Sequence, residues 1–302
     1  MVCGLWTMVC ASGCATPQYA VRPAPQPEES ASALELERAI SAVQAKQFER
    51  QGARAVGWER VAGFPIQDLI NRLSRVTERP QLQYRAFVYT DKDPNAAALA
   101  DGRIYISSGM LRYLAGRGSR EDELAFVCGH ELAHTVAQHL VKRYRYLQQR
   151  QLWMSVLAAG ASALTRTAST GAQEVGRLAV DAAALLQHVA DSGYSQDQEL
   201  EADQLGIRYV MRAGFDPHAA LALLQDFARF DMSGPFLRTH PYVQERRAQL
   251  ARYLTEARGP GAAPAAATDR AARVRELRRI QTGYPEGSVS WNNLERQIRS
   301  LE

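Results

Sequence analysis

Along most of the chain, apolar residues recur at helical spacing. From Ser32 onward Leu34, Leu36, Ile40, Val43 and Phe48 fall near every third or fourth position among charges, and Ile66, Leu69, Ile70 and Leu73 repeat the pattern after Pro65. Both stretches read as packing helices. The pattern then changes to that of strands: Tyr84 to Thr90 is aromatic and β-branched, Asp91-Lys92-Asp93-Pro94 is a turn, and Asn95 to Ala100 leads through Asp101-Gly102 to a second strand at Arg103-Ile104-Tyr105-Ile106. Leu124 to Val127, Leu132, Ala133, Val136, Ala137 and Leu140 follow as a helix apolar on most sides, with Glu121, Asp122 and Glu123 in its first turn and Ser119 as a cap. Such a helix is expected only where it is buried. Ile207, Tyr209, Val210 and Met211 continue another helix, which Gly214-Phe215-Asp216-Pro217 ends before a further one begins. The fold class expected is α+β, mostly helical with a small antiparallel sheet.

Polar residues interrupt the buried helix at Cys128-Gly129-His130-Glu131-Leu132-Ala133-His134. At about 3.6 residues per turn His130 and His134 stand on one face, so both imidazoles reach a single cation. Glu131 sits beside them. Two neutral imidazoles suit Zn2+, an open coordination position acidifies water, and the neighbouring carboxylate can take the proton during attack on a carbonyl, which is metal-assisted hydrolysis. A Glu and two His inside an apolar helix are costly unless paired or ligated. His139 is out of phase with the other two and reads as a helix-end surface residue, and Cys128, on a different face, as core packing.

Two imidazoles leave the coordination shell short of a protein ligand. Glu199-Leu200-Glu201-Ala202-Asp203 places Glu199 and Asp203 one turn apart on a later helix that starts near Ser195. One of them can ligate while the other hydrogen-bonds a ligand imidazole, and Glu201 points elsewhere. Further on, Ser233 to Pro241 is a loop rich in breakers that carries His240 and opens a helix with Arg246 and Arg247. In an open form His240 would donate to the oxyanion of a tetrahedral intermediate, with Arg246 adding positive charge or ordering the loop. In a closed form the same imidazole would take the fourth position on the metal.

These motifs together resemble the zinc metallopeptidases that include the CAAX prenyl endopeptidases, the heat-shock protease HtpX, the Oma-type proteases and the periplasmic lipoproteins BepA and LoiP. The resemblance rests on His130-Glu131-Leu132-Ala133-His134, on Glu199 and Asp203 with Ala202 between them, on Thr239-His240-Pro241 with Arg246 following, and on Asn95-Ala96 and Gly102 upstream. It spans roughly residues 60 to 255. It implies a zincin-like (gluzincin) domain holding one Zn2+ through His130, His134 and Glu199, with Glu131 as general base, Asp203 as support behind a ligand, and a His240 switch as in BepA-like members. It also implies a sheet edge above the metal, lined by Asn95 and Ala96, where an extended substrate adds as a strand.

The ends of the chain add a location. Met1 to Cys14 is short, uncharged and apolar and closes on Ala11-Ser12-Gly13-Cys14, the form of a bacterial lipoprotein signal with Cys14 lipidated and Ala15 behind it matching outer-membrane sorting. No Lys or Arg precedes Cys14. Of the 4 cysteines only Cys128 lies beyond this segment, so no intramolecular disulfide framework is expected. Residues 15–30, with Pro17, Pro23, Pro25 and Pro27, read as a semi-extended tether, residues 31–257 as the metallopeptidase domain, and residues 258–302 as a flexible linker and basic tail with a short helix over 269–281.

A length of 302 residues, 46% of them hydrophobic and 23% charged, suits one globular domain with tails, and a net charge of +4 spread along the chain gives no case for nucleic-acid binding. Leu152 to Leu164 is too short to cross a bilayer and reads as half of a helical hairpin completed by Leu178 to Val189; His188 there reads as a surface residue. The sequence therefore predicts a lipid-anchored endopeptidase on the periplasmic side of the outer membrane, acting on misfolded or misassembled envelope proteins. The competing expectation is a chaperone-like binding protein whose metal is mainly structural and latched by His240.

Overall fold

The computed structural model describes residues 22–116, 121–159, 193–229 and 238–256, with positions 274, 278, 281, 291, 295, 298 and 299 beyond them. Cys14, Ser119, His188, the second half of the expected hairpin, and the Ser233–Leu237 part of the loop lie outside the described residues. The chain divides into two compact units, Met1–Tyr253 and Leu254–Glu302.

In the first unit the described helices are α1 (Ala31–Arg50), α2 (Ile66–Ser74), α3 (Ser108–Gly116), α4 (Glu121–Val136), α5 (His139–Ala159), α6 (Gln196–Arg212), α7 (His218–Phe227) and α8 (Val243–Glu256), the last running across the division. The strands are β1 (Arg54–Ala55), β2 (Arg85–Tyr89), β3 (Ala96–Ala98) and β4 (Arg103–Ser107). Helix starts follow the capping chemistry of the sequence. Ser30 Oγ accepts from Ala33 N at the head of α1, and Ser195 and Gln198 form a reciprocal capping box at the head of α6.

The sheet has the order β1-β2-β4-β3 and is mixed rather than antiparallel. β2 runs parallel to β4, with Phe87 opposite Tyr105, while β1 and β3 are antiparallel to their neighbours. The reason is β3, a strand of three alanines with weak strand propensity that sequence patterning passes over. Once β3 forms a hairpin with β4, the chain has turned back and β4 runs in the same direction as β2. β3 is left as an edge strand lying against α4.

α4 is the centre of the unit: Leu124 to Val136 is buried without a break. It packs on α6 most extensively and also meets α2, α5, α7 and the sheet. Its C-terminal end is tied down by polar contacts. Thr135 Oγ1 donates to Leu99 O at 3.0 Å, and Arg79, fully buried, forms a two-pronged pair with Glu37 of α1 at 2.9 Å while also reaching Glu29 and the Thr135 carbonyl.

Residues 22–30, within the expected tether, are bonded to the rest of the unit. Arg22 N donates to Gln204 Oε1 at 2.8 Å, its guanidinium pairs with Asp197, and Glu28 exchanges backbone hydrogen bonds with the Gln138 side chain. No helix among the described residues is long and apolar enough to cross a membrane. In the second unit the described positions are helical, and Glu295 there accepts from Gln281 and pairs with Arg299.

Candidate metal centre

The site is built where α4 crosses α6. Gly129 and Gly206 make the crossing: a Cβ on Gly206 would stand 2.8 Å from the His130 backbone nitrogen, and one on Gly129 would stand 3.0 Å from the Gly206 carbonyl oxygen. With no side chain between the backbones, the imidazoles of α4 reach the carboxylates of α6. His130, His134, Glu199 and His240 each bring one donor atom within 4.8 Å of the others, and all four are buried. His134 Nε2 is 3.0 Å from His130 Nε2, His130 Nε2 is 3.2 Å from His240 Nδ1, and His240 Nδ1 is 3.2 Å from Glu199 Oε1.

Three imidazole nitrogens and a carboxylate oxygen pointing at one spot fit a borderline divalent cation such as zinc. Glu131 adds a second sign of fit, because its buried Oε1 has no hydrogen-bond partner although it lies 3.3 Å from His240 Nε2.

Behind the donors stands a layer of charge. Asp203 Oδ1 is 2.8 Å from His130 Nδ1 and accepts its N–H when Nε2 is the donor atom toward a cation. Arg246 grips both Asp203 oxygens at 2.7 and 2.8 Å, lies 2.8 Å from Glu199 Oε2, and donates to the His240 carbonyl at 3.2 Å. Burial alone would raise the two carboxyls. Arg246 overrides it, with His240 and His130 assisting at Glu199 and His130 at Asp203, and both are held below the usual carboxylate range. Burial lowers the His134 imidazole well below its ordinary value. For His240 the burial effect is outweighed by Glu199 and Glu131, which raise it.

His240 is held in place from the other side by Gly193 and Tyr194. Gly193 has φ +65°, and a Cβ there would meet the Arg238 carbonyl oxygen at 2.5 Å. Tyr194 N donates to Thr239 O at 3.1 Å, and its ring stacks on His134 with centroids 3.9 Å apart. Residues 238–240 are thereby docked beside the start of α6.

Other expectations fare differently. His139 is fully buried, not at the surface. The helix does not continue through it: α4 ends at Val136, Gln138 takes a left-handed φ of +54°, and α5 starts at His139 with a new direction. His139 Nδ1 thereby comes to 2.8 Å from His134 Nδ1. Glu201 does face away from the converging donors and meets His139 Nε2 at 3.3 Å. Cys128 is a buried free thiol, as expected of core packing. Asn95 is half-buried at the start of β3, and its backbone is taken up by Ser107, with Asn95 N donating to Ser107 Oγ and Ser107 N to Asn95 O, each at 2.9 Å. By the antiparallel alternation, the backbone groups of Ala96 and Ala98 are the ones that point away from β4, and both residues are buried.

Sequence patterning misses His139, Tyr194 and the glycine crossing. His139 carries the signal of a third His within ten residues of the first, but its direction depends on a helix break that no periodicity announces.

A carboxylate beside a buried His, His, Glu donor set, on a mostly helical α+β scaffold with an edge strand against the active helix, defines the class as a metallopeptidase. The chain belongs to peptidase family M48, whose model matches residues 65–254. It is similar to the beta-barrel assembly-enhancing protease of Escherichia coli (strain K12), 29% identical over 187 residues that make up 61% of this chain and 37% of the relative. The protein of that name from Yersinia pestis is 31% identical over 189 residues, 60% of this chain and 36% of the relative. Mitochondrial metalloendopeptidase OMA1 of Schizosaccharomyces pombe is 29% identical over 201 residues, 64% of this chain and 53% of the relative. The chain thus spans between about a third and a half of the length of these relatives.

Proposed function

We propose that the protein is a zinc-dependent endopeptidase of the bacterial cell envelope, anchored by lipid at Cys14, that hydrolyses misfolded or misassembled envelope proteins. The observation that carries the proposal is the convergence of donor atoms from His130, His134, Glu199 and His240, with the buried Glu131 carboxylate 3.3 Å from His240 Nε2. Zinc held by His130, His134 and Glu199 supplies Lewis-acid polarisation of the peptide carbonyl and acidifies water.

The chain's own residues do the rest. Glu131 takes a proton from the attacking water and returns it to the leaving amine, the general acid–base work that contributes roughly 10²- to 10⁴-fold to rate. Asp203 fixes the tautomer of His130, and Arg246 holds Asp203 and Glu199 in register while keeping both ionised. An extended substrate adds at the edge of β3 beside Asn95, hydrogen-bonding the backbone of Ala96 and Ala98, which are buried here and must be uncovered to receive it. Envelope substrates are supported by the lipoprotein-like start and by the name of the bacterial relatives, beta-barrel assembly-enhancing protease.

The test is cleavage of casein by the protein from Thr16 onward, with zinc quantified. The expected result is cleavage by the parent and none by Glu131→Gln at equal zinc content. A zinc-loaded parent that cleaves neither casein nor unfolded outer-membrane proteins overturns the endopeptidase reading in favour of a binding protein.

A further inference from the structure

The two imidazoles of α4 converge through Nε2, so each presents Nδ1 to the protein behind it. For His130 that group is Asp203. For His134 it is His139, whose Nδ1 lies 2.8 Å away and whose Nε2 lies 3.3 Å from Glu201 Oε2. We propose that His139 is a positioning residue for the metal centre and that, backed by Glu201, it fixes the tautomer and orientation of His134.

The hydrogen bonds have a single consistent assignment. When Nε2 of neutral His134 offers its lone pair to a cation, its proton is on Nδ1 and is donated to Nδ1 of His139. A neutral His139 that accepts there carries its own proton on Nε2, and the acceptor in reach is the carboxylate of Glu201. Every nitrogen of the pair then has a role, as burial of both rings requires. The Tyr194 ring, stacked on His134 at 25° between planes, limits tilting, while the His139 bond limits rotation within the plane.

The helix break serves this arrangement. Gln138, at φ +54°, turns the chain so that His139 points back at His134, and its side chain is locked by Glu28 N, Glu28 O and Glu37 Oε1 at 2.8 to 2.9 Å. A left-handed conformation is strained at a residue other than glycine. Three side-chain hydrogen bonds hold it here. The relay runs from α4 through the start of α5 to α6 and shares no residue with the support of His130 by Asp203 and Arg246.

This inference rests on the metal-site reading, so zinc binding itself is the readout. Zinc affinity is measured by competition with a chromophoric chelator at constant pH, with far-UV circular dichroism and thermal unfolding of each metal-free form. We expect His139→Leu to weaken zinc binding by about 10- to 100-fold without loss of helicity. His139→Gln, whose amide oxygen accepts the His134 N–H, should recover most of that loss, and Glu201→Gln should weaken binding by a smaller factor. Parent-like affinity in His139→Leu, or a Gln variant no better than Leu, overturns the relay. If His139→Leu does not fold, Glu201→Ala at its partly exposed position, which removes the acceptor altogether, decides, and unchanged affinity there overturns the relay. A parent that takes up no zinc overturns the metal-site reading, whereas a zinc-binding parent with indifferent variants overturns the relay alone.

Discussion

Gly206 of α6 lies against the backbone of His130 in α4, so close that a Cβ on it would stand 2.8 Å from the His130 nitrogen and 2.9 Å from the Gly129 carbonyl carbon. The obstacle is backbone on both sides, and neither helix can yield by rotating a side chain. Gly206→Ala should therefore move the helices apart, costing about 1–3 kcal/mol of stability as overpacking does, and should weaken zinc binding by separating Glu199 and Asp203 from the imidazoles. Urea denaturation and a zinc titration check it. Gly116→Ala, where nothing lies within 4 Å of the added atom, should leave both unchanged or improve stability slightly.

Arg246 is the sole described cation bonded to Asp203 and paired with Glu199, all three being buried. Arg246→Leu leaves two carboxylates in the interior with their compensating charge removed, and a loss of about 3–5 kcal/mol is expected. The metal-free protein should show it in the midpoint of urea unfolding. Arg246→Lys restores a charge without the planar fork and should recover only part of it.

His240 lies in the donor cluster through Nδ1 and beside Glu131 through Nε2. On the latch reading, His240 in this position would compete for the place a substrate carbonyl takes. His240→Ala should raise the rate of casein cleavage, measured under initial-rate conditions at equal zinc content. A fall of about 10²-fold or more would assign His240 to transition-state stabilisation instead.

Cys128 has no exposed surface, and burial, helped by the charge of Glu131, pushes its thiol far above the ordinary range. In the form starting at Thr16, which lacks Cys3, Cys10 and Cys14, no thiol should react with Ellman's reagent in the native protein at pH 8. One equivalent should appear in guanidinium chloride. A native-state reaction would show that α4 opens.

The sequence by itself determined the elements and much of the chemistry that lies along one helix. His130, Glu131 and His134 share a face because spacing on a helix is local, and the apolar residues around them announce burial. Glu199 and Asp203 were legible as a pair for the same reason, and so was the capping box at Ser195. Family resemblance supplied the assignment of Glu199 as ligand. Tertiary structure alone decided what meets across the chain. The bond from His130 to Asp203 spans 73 positions and that from Arg246 to Asp203 spans 43, and the first crosses a helix contact made by two glycines whose absent side chains give no periodic signal. The mixed sheet depended on three alanines with little preference for a strand, which pair because β4 and α4 offer them a surface. His139 was misplaced because helical phase holds only while the helix does. Its partner was chosen by a left-handed Gln138 that distant residues, Glu28 and Glu37, keep in position.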